Sequence, residues 1–426
     1  MLTLLIIADD FTGALDTGVQ FAEAGAKVRV VTDIGYDFEQ LDSEVQVLVM
    51  DAETRHIDPE QAYGRIFEIT KRAVSSGIPY IYKKTDSALR GNIGSELSAV
   101  LDASGAEMLP FLPAFPEMGR TTKKGIHYID KVPVAESVFG ADPFEPVRSS
   151  YIPDIIAEQS KTRVCLADAD ADIAEKEDEK TPAIVIYDTG EHKELEELGK
   201  KLFEQKKLSV MAGCAGFASV LSDILRLKGS RREEMRYTAP FLVVCGSLNP
   251  ITVSQITYAQ NKGFNKICLE AKQKLVSGYW ESSEGKRKLD EWMKSCVNEA
   301  DCIIDSGDDP ETAELGRQMG MDIEAMRSSI AASLGAMLKG IFDRGFNGTV
   351  LVTGGDTLMG FMKQAHISEM EPICEPAPGT VLSRFRYKDE WRQMISKSGG
   401  FGKPELLVRL SEAINRKEEV QYVEAV

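Results

Sequence analysis

The segment IIADDFTGALDTG, residues 6–18, runs an apolar stretch into two carboxylates, Asp9 and Asp10, then into Thr12, Gly13 and a helical pattern. Open α/β sheets bind ligands at the carboxyl edge of their strands, which is where this pair would lie. The plainer reading is that Asp10 or Thr12 caps the helix. A second segment, YKKTDSALRGNIGSEL, residues 82–97, gathers Lys83, Lys84, Thr85, Ser87, Arg90 and Asn92 around Asp86 in one strand-to-helix turn. Backbone amides at a helix start near Gly91 would favour an anion there, so the turn suits a carboxylate or a polyol. Surface charge clusters are usually only solvated, but this one follows an apolar strand in a chain of net charge -17. A third segment, residues 113–137, carries Arg120, Lys123, Lys124 and His127 on a Pro/Gly-rich loop and reads as a lid or clamp for an anionic substrate. Arg55, beyond a strand ending at Asp51, is a candidate for forked carboxylate binding.

The later half holds different chemistry. VVCGSLNPITVSQ (243–255) and LVTGGDTLMGF (351–361) each run from a strand through a glycine turn into a helix, and SKSGGFG (396–402) follows the strand-like Trp391 to Ile395. Such turns cradle phosphate because outward amides are not screened by a side chain. Glycine also serves tight turns that bind nothing, yet three turns are harder to ascribe to packing alone. The chain has no GxxxxGK[ST] loop, no GxGxxG fingerprint, no HExxH and no GxSxG elbow. A P-loop kinase, a standard dinucleotide dehydrogenase, a zincin and an α/β-hydrolase lose ground accordingly.

The elements that must position these groups alternate in type. Leu2 to Ala8, Val28 to Val31 and Val45 to Met50 read as strands, with helices over Ala14 to Ala24 and Asp58 to Ser76 ended by Gly25 and Gly77. Residues 105–153, rich in Pro and Gly, read as a long functional loop. Ala167 to Lys180 reads as a solvated acidic face. Ala183 to Tyr187 and Leu208 to Met211 are strands, followed by a helix from Ala215 to Leu227. The polar stretch Lys228 to Thr238 marks a domain boundary, giving domains 1–235 and 240–426. Beyond it Phe241 to Cys245, Ile267 to Leu269, Cys302 to Asp305 and Thr349 to Val352 are strands, and Thr312 to Phe342 is a long helical region broken near Gly320. The fold class is α/β: two layered α/β domains with largely parallel sheets, expected to face each other across a cleft.

Composition narrows the partners. At 426 residues, 43% hydrophobic and 27% charged, the chain is globular and long enough for two cores. The net charge of -17 argues against nucleic acid and anionic membrane as partners. No basic, apolar leader and no membrane-length apolar run is present, so a cytoplasmic protein is expected. The seven cysteines show no CxxC or Cys/His ligand spacing and read as reduced, mostly buried thiols, with no protein metal site.

Taken in order, IADDFTGALDTG, KKTDSALRGNIGSE, PAFPEMGRTTKKGIHY, CGSLNP, TGGDT and KSGGFG resemble the motif set of the four-carbon acid sugar kinases, from residue 6 to about residue 402. The resemblance implies an N-terminal sugar-acid-binding domain and a C-terminal nucleotide-binding domain. It also implies ATP with Mg²⁺, and transfer to the 4-hydroxyl of a tetronate. The D-threonate branch looks nearest, with D-erythronate and 3-oxo-tetronate kinases as neighbours. Sugar-acid contacts are then implied at Asp9 or Asp10, Arg55 and Lys83 to Asp86, and ATP contacts at Ser247, Gly354, Gly355, Asp356, Thr357 and Gly400. Arg90 and Arg120 join the substrate side from their charge and position. Arg55 and Lys84 would hold the substrate carboxylate, and Asp10 or Asp86 would receive the hydroxyl proton. The reading leaves room for a homodimer. The rivals are a sugar-acid dehydrogenase or aldolase-like enzyme, and a non-catalytic sugar-acid sensor.

Overall fold

A computed structural model describes residues 2–142, 146–167, 181–227, 229, 236–294 and 301–416. The chain divides into two compact units, Met1–Arg231 and Arg232–Val426. Of the expected boundary stretch, residues 228 and 230–235 lie outside the described residues, as do 168–180 of the acidic segment.

In the first unit the strands are β1 (Leu4–Ala8), β2 (Val28–Val31), β3 (Val47–Asp51), β4 (Tyr80–Lys84), β5 (Met108–Leu112), β6 (Arg120–Lys123), β7 (Ile126–Ile129), β8 (Val132–Pro133), β9 (Arg163–Ala167), β10 (Ala183–Tyr187) and β11 (Val210–Gly213). The helices are α1 (Phe11–Glu23), α2 (Pro59–Ser75), α3 (Ile93–Ser104), α4 (Ile152–Ala157), α5 (His192–Glu204) and α6 (Ala215–Ile224). The main sheet runs β2-β3-β1-β4-β11-β5-β10-β9, every neighbouring pair parallel. Strands buried on both faces explain why β1 and β3 read as unbroken apolar runs. The chain leaves β1 towards β2 on one side and returns at β4 on the other, so the sheet's switch point lies between β1 and β4. Ala8 is level with both Asp51 and Lys84, which places the ends of β1, β3 and β4 side by side.

Helix α1 begins at Phe11, earlier than its apolar pattern suggested, because the Asp10 side chain caps it by accepting the Gly13 N–H at 3.0 Å. Helix α2 is capped by Asp58, with Pro59 in its first turn, and the chain leaves it through Gly77 at φ +69°. The expected long loop 105–153 is a correction: it holds parallel strand β5 and a separate antiparallel sheet, β6-β7-β8.

The second unit contains β12 (Phe241–Cys245), β13 (Asn265–Cys268), β14 (Cys302–Asp305), β15 (Thr349–Thr353), β16 (Glu369–Ala377), β17 (Thr380–Tyr387) and β18 (Glu390–Lys397). Its helices are α7 (Pro250–Asn261), α8 (Ala271–Leu275), α9 (Ser283–Trp292), α10 (Pro310–Gln318), α11 (Ile323–Asp343), α12 (Gly355–Ala365) and α13 (Leu406–Asn415). The order is β13-β14-β12-β15-β18-β17-β16, parallel through β18, with β17 antiparallel to both β18 and β16. Here the switch point lies between β12 and β15, whose ends Cys245 and Thr353 are level. The expected helical stretch 312–342 is two helices, α10 and α11, separated at Gly320 with φ +69°. Each unit has its own apolar core, one built around β1, β3, α2 and α3 and the other around β12, β15 and α13.

Candidate active site

Three strand ends at the first switch point bring the acids and bases together. Arg55, just beyond β3, donates from Nε to Asp9 Oδ2 at 2.7 Å, from NH1 to Asp10 Oδ2 at 2.9 Å and from NH2 to Asp10 Oδ1 at 2.7 Å. Asp9 is 3% exposed, and its other oxygen, Oδ1, is buried with no hydrogen-bond partner. Burial pushes the Asp9 carboxyl upward, but Arg55, then Lys84 and Lys83, outweigh it and hold the group below its ordinary range. Burial likewise opposes ionisation of Asp86, and Arg90 and Arg55 overcome it to hold that carboxyl well below the usual range.

The β4–α3 turn is tied down from several directions. Asp86 accepts from Arg90 Nε and NH2, both at 2.9 Å, and from the Ala88 N–H at 3.1 Å. Arg90 also covers the Phe139 ring at 5.3 Å. Lys83 is fully buried and donates to Ile7 O and Lys84 O, with Glu96 Oε2 at 2.9 Å. Lys84 Nζ donates to Thr85 O at 2.7 Å, and the Thr85 hydroxyl is buried without a partner. Gly13 leaves room for them: a Cβ there would lie 2.5 Å from Asp10 Oδ1 and 2.9 Å from Lys84 Nζ, so both side chains would have to shift. A cavity of about 240 Å³ opens beside Arg55, Arg90 and Asn92, with Arg148 and Gln159 on its wall. Drug-sized ligands fill about 300–1,000 Å³, so this volume suits a small acid.

The third segment, expected as a lid or clamp, carries the β6–β7 hairpin. Lys123 and Lys124 are exposed on the β6–β7 hairpin, and Arg120 donates to Met118 O. His127 is buried, and burial pulls its pKa down to about 4, so the ring is neutral at pH 7. Its Nε2 lies 2.9 Å from Ser87 O and its Nδ1 lies 3.2 Å from the Thr122 hydroxyl. A neutral ring satisfies both by donating from Nε2 and accepting at Nδ1. His127 therefore braces the Asp86 turn rather than adding charge.

In the second unit the three glycine turns follow β12, β15 and β18. A Cβ on Gly246 would fall 2.0 Å from Thr357 Oγ1, and one on Gly399 would fall 2.8 Å from Ser247 Oγ. The turns are therefore packed closely, glycine backbone against the Thr357 and Ser247 side chains. Gly354 has φ +95° and precedes α12, whose first turn carries Gly355, Asp356 and the buried Thr357. Ser247 Oγ accepts the Asn249 N–H at 3.3 Å, and Gly400 is exposed beside Asn249. Asp356 pairs with Arg327 at 2.7 Å. Among the described residues no three His, Cys, Asp or Glu side chains gather as a metal cage. A nucleotide-borne Mg²⁺ would rest mainly on phosphate oxygens, as that ion commonly does.

A family model described as "Sugar-binding N-terminal domain" matches residues 4–221, and one described as "Nucleotide-binding C-terminal domain" matches residues 242–407. The chain is 28% identical to a D-threonate kinase of Salmonella typhimurium over 430 residues, covering 94% of this chain and 95% of that one. It is 27% identical to a D-erythronate kinase of Heliobacterium modesticaldum over 403 residues, covering 90% of each. The chain belongs to the four-carbon acid sugar kinase family. It is thus a carbohydrate kinase. A solved structure from Salmonella typhimurium shares the fold, with a TM-score of 0.79 at 21% identity over 96% of this chain and 99% of that one.

Within this kinase, sequence reasoning singled out Asp9, Asp10, Arg55, Lys84 and Asp86, and the structure gathers them at one strand edge. It overlooked Glu96, the partner of Lys83, although that acid sits in the first turn of α3. It also overlooked Asp51, whose carboxyl burial pushes well above its ordinary range. Among the described residues no helix is long and apolar enough to cross a membrane.

Proposed function

We propose that the chain transfers the γ-phosphoryl group of ATP to the 4-hydroxyl of a four-carbon sugar acid, D-threonate or D-erythronate, in the cytoplasm. The observation that carries this is the forked Arg55 contact to Asp9 and Asp10 at the switch point of a unit matched as sugar-binding. The names of the relatives supply the substrate class.

The roles divide by what each side chain has left to offer. The Arg55 fork is engaged by Asp9 and Asp10, so it fixes the two carboxylates. Lys84, with one neutral carbonyl as its hydrogen-bond partner, takes the substrate carboxylate. Arginines hold both Asp10 and Asp86, but the Asp10 side chain is 26% exposed against 10% for Asp86 and is the more accessible carboxylate. Asp10 receives the proton as the O4–P bond forms and the bond from Pγ to the β,γ-bridging oxygen breaks, releasing ADP. The glycine turns at Ser247, Gly354 to Thr357 and Gly400 hold the nucleotide through backbone amides. Mg²⁺ supplies charge neutralisation on the phosphates when bound.

An ADP-release assay over D- and L-threonate, D- and L-erythronate and their 2- and 3-oxo forms tests this reading. D-threonate or D-erythronate should give the highest kcat/KM. Preference for a 3-oxo acid would reassign the substrate, and no ADP with any of them would remove the proposal.

A further inference from the structure

Four lysines are buried among the described residues: Lys83, Lys84, Lys274 and Lys397. Two of them face a carboxylate, Lys83 that of Glu96 and Lys274 that of Asp309. Lys397 differs. It is 2% exposed, and its Nζ donates only to neutral oxygens: Ser398 O at 2.9 Å, the Thr252 hydroxyl at 3.3 Å and Gly399 O at 3.4 Å. Burying an ammonium group without a counter-charge is costly, and an arriving anion would offset that cost.

The position of Lys397 says which anion. It ends β18, level with Thr353 of β15, and its carbonyl accepts the Gly354 N–H at 3.4 Å. Its side chain reaches Thr252 in the first turn of α7, and the Thr252 hydroxyl donates on to Gly399 O at 2.9 Å. One residue thus touches the turns after β12, β15 and β18. We propose that Lys397 is the fixed positive charge of the nucleotide site, neutralising the polyphosphate while holding the carbonyls of the SGGFG turn away from it. The proposal rests on the kinase reading above.

Burial pulls the Lys397 ammonium down to about 8. Phosphate beside it would restore the proton, so nucleotide binding at about pH 8 should take up about half a proton. The Cys245 thiol beside it does not titrate at that pH. Burial pushes that thiol up to about 11.

Calorimetric titration of the full chain with MgADP at about pH 8, in two buffers of different ionisation enthalpy, reads both effects. The wild type should take up protons. Lys397→Met should bind ADP at least about tenfold more weakly, with no uptake, while Lys397→Arg should bind within about threefold of wild type, also with no uptake. Wild-type binding without proton uptake overturns the proposal, and so does a Lys397→Met protein of unchanged melting temperature with wild-type affinity. If Lys397→Met does not fold, the wild-type and Lys397→Arg results decide. A wild type that binds no nucleotide at all overturns the kinase reading together with this one, whereas nucleotide binding indifferent to Lys397 overturns this one alone.

Discussion

Arg55 meets Asp10 through two parallel hydrogen bonds, NH1 to Oδ2 at 2.9 Å and NH2 to Oδ1 at 2.7 Å, while its Nε holds Asp9. A planar fork can hold two carboxylates in fixed directions, and an ammonium group cannot. Arg55→Lys should therefore keep the charge and lose the alignment, lowering kcat/KM for the sugar acid about 10²-fold or more. Steady-state kinetics with the acid varied checks this; a change below about threefold would detach the fork from the reaction.

Asp10→Asn isolates the proton transfer. The amide oxygen can still accept the Gly13 N–H that caps α1, and Arg55 keeps Asp9, so the fold should hold. Turnover should fall at least about 10²-fold, the usual range for a lost general base. Near wild-type kcat would move the base role to Asp86 or remove it.

Gly13→Ala tests how closely Asp10 and Lys84 approach each other. The added methyl group would displace both, since its contacts would be 2.5 Å and 2.9 Å. We expect a raised KM for the sugar acid and a lowered kcat, with the Kd for ADP unchanged. Unaltered kinetics would show that the acid binds elsewhere.

His127 makes stability depend on acid. Its folded pKa of about 4 lies below the ordinary 6.5, so below that pH the unfolded chain takes up a proton that the buried ring refuses. Stability is complete above about pH 6.5 and falls towards about pH 4, by about 3 kcal/mol from this group alone. Urea midpoints at about pH 7 and about pH 4.5 should therefore differ more for wild type than for His127→Gln. Equal differences would place the acid sensitivity in other groups.

What could be read from the chain followed from how each residue is held. Asp9 and Asp10 announced themselves because an apolar strand ends on them, but their pairing with Arg55 depends on β3 lying beside β1, which is a matter of sheet order. Strand β5 was hidden by Pro110 within it, since proline is rare inside a sheet. The β16–β17 pair was hidden by Pro372, Pro376 and Pro378. Helix–strand alternation was legible elsewhere because both sheets are mainly parallel and buried. The neutrality of His127 and the unpaired charge of Lys397 depend on three-dimensional burial, and no spacing in the sequence encodes either.

The most direct measurement is the position of the phosphoryl group on the product. The chain would be incubated with MgATP and D-threonate or D-erythronate and the mixture followed by ³¹P NMR with coupling to protons. The account predicts a phosphomonoester coupled to the C4 protons, formed in equal amount with ADP. ADP without a sugar phosphate, or a phosphate on C2 or C3, would contradict it.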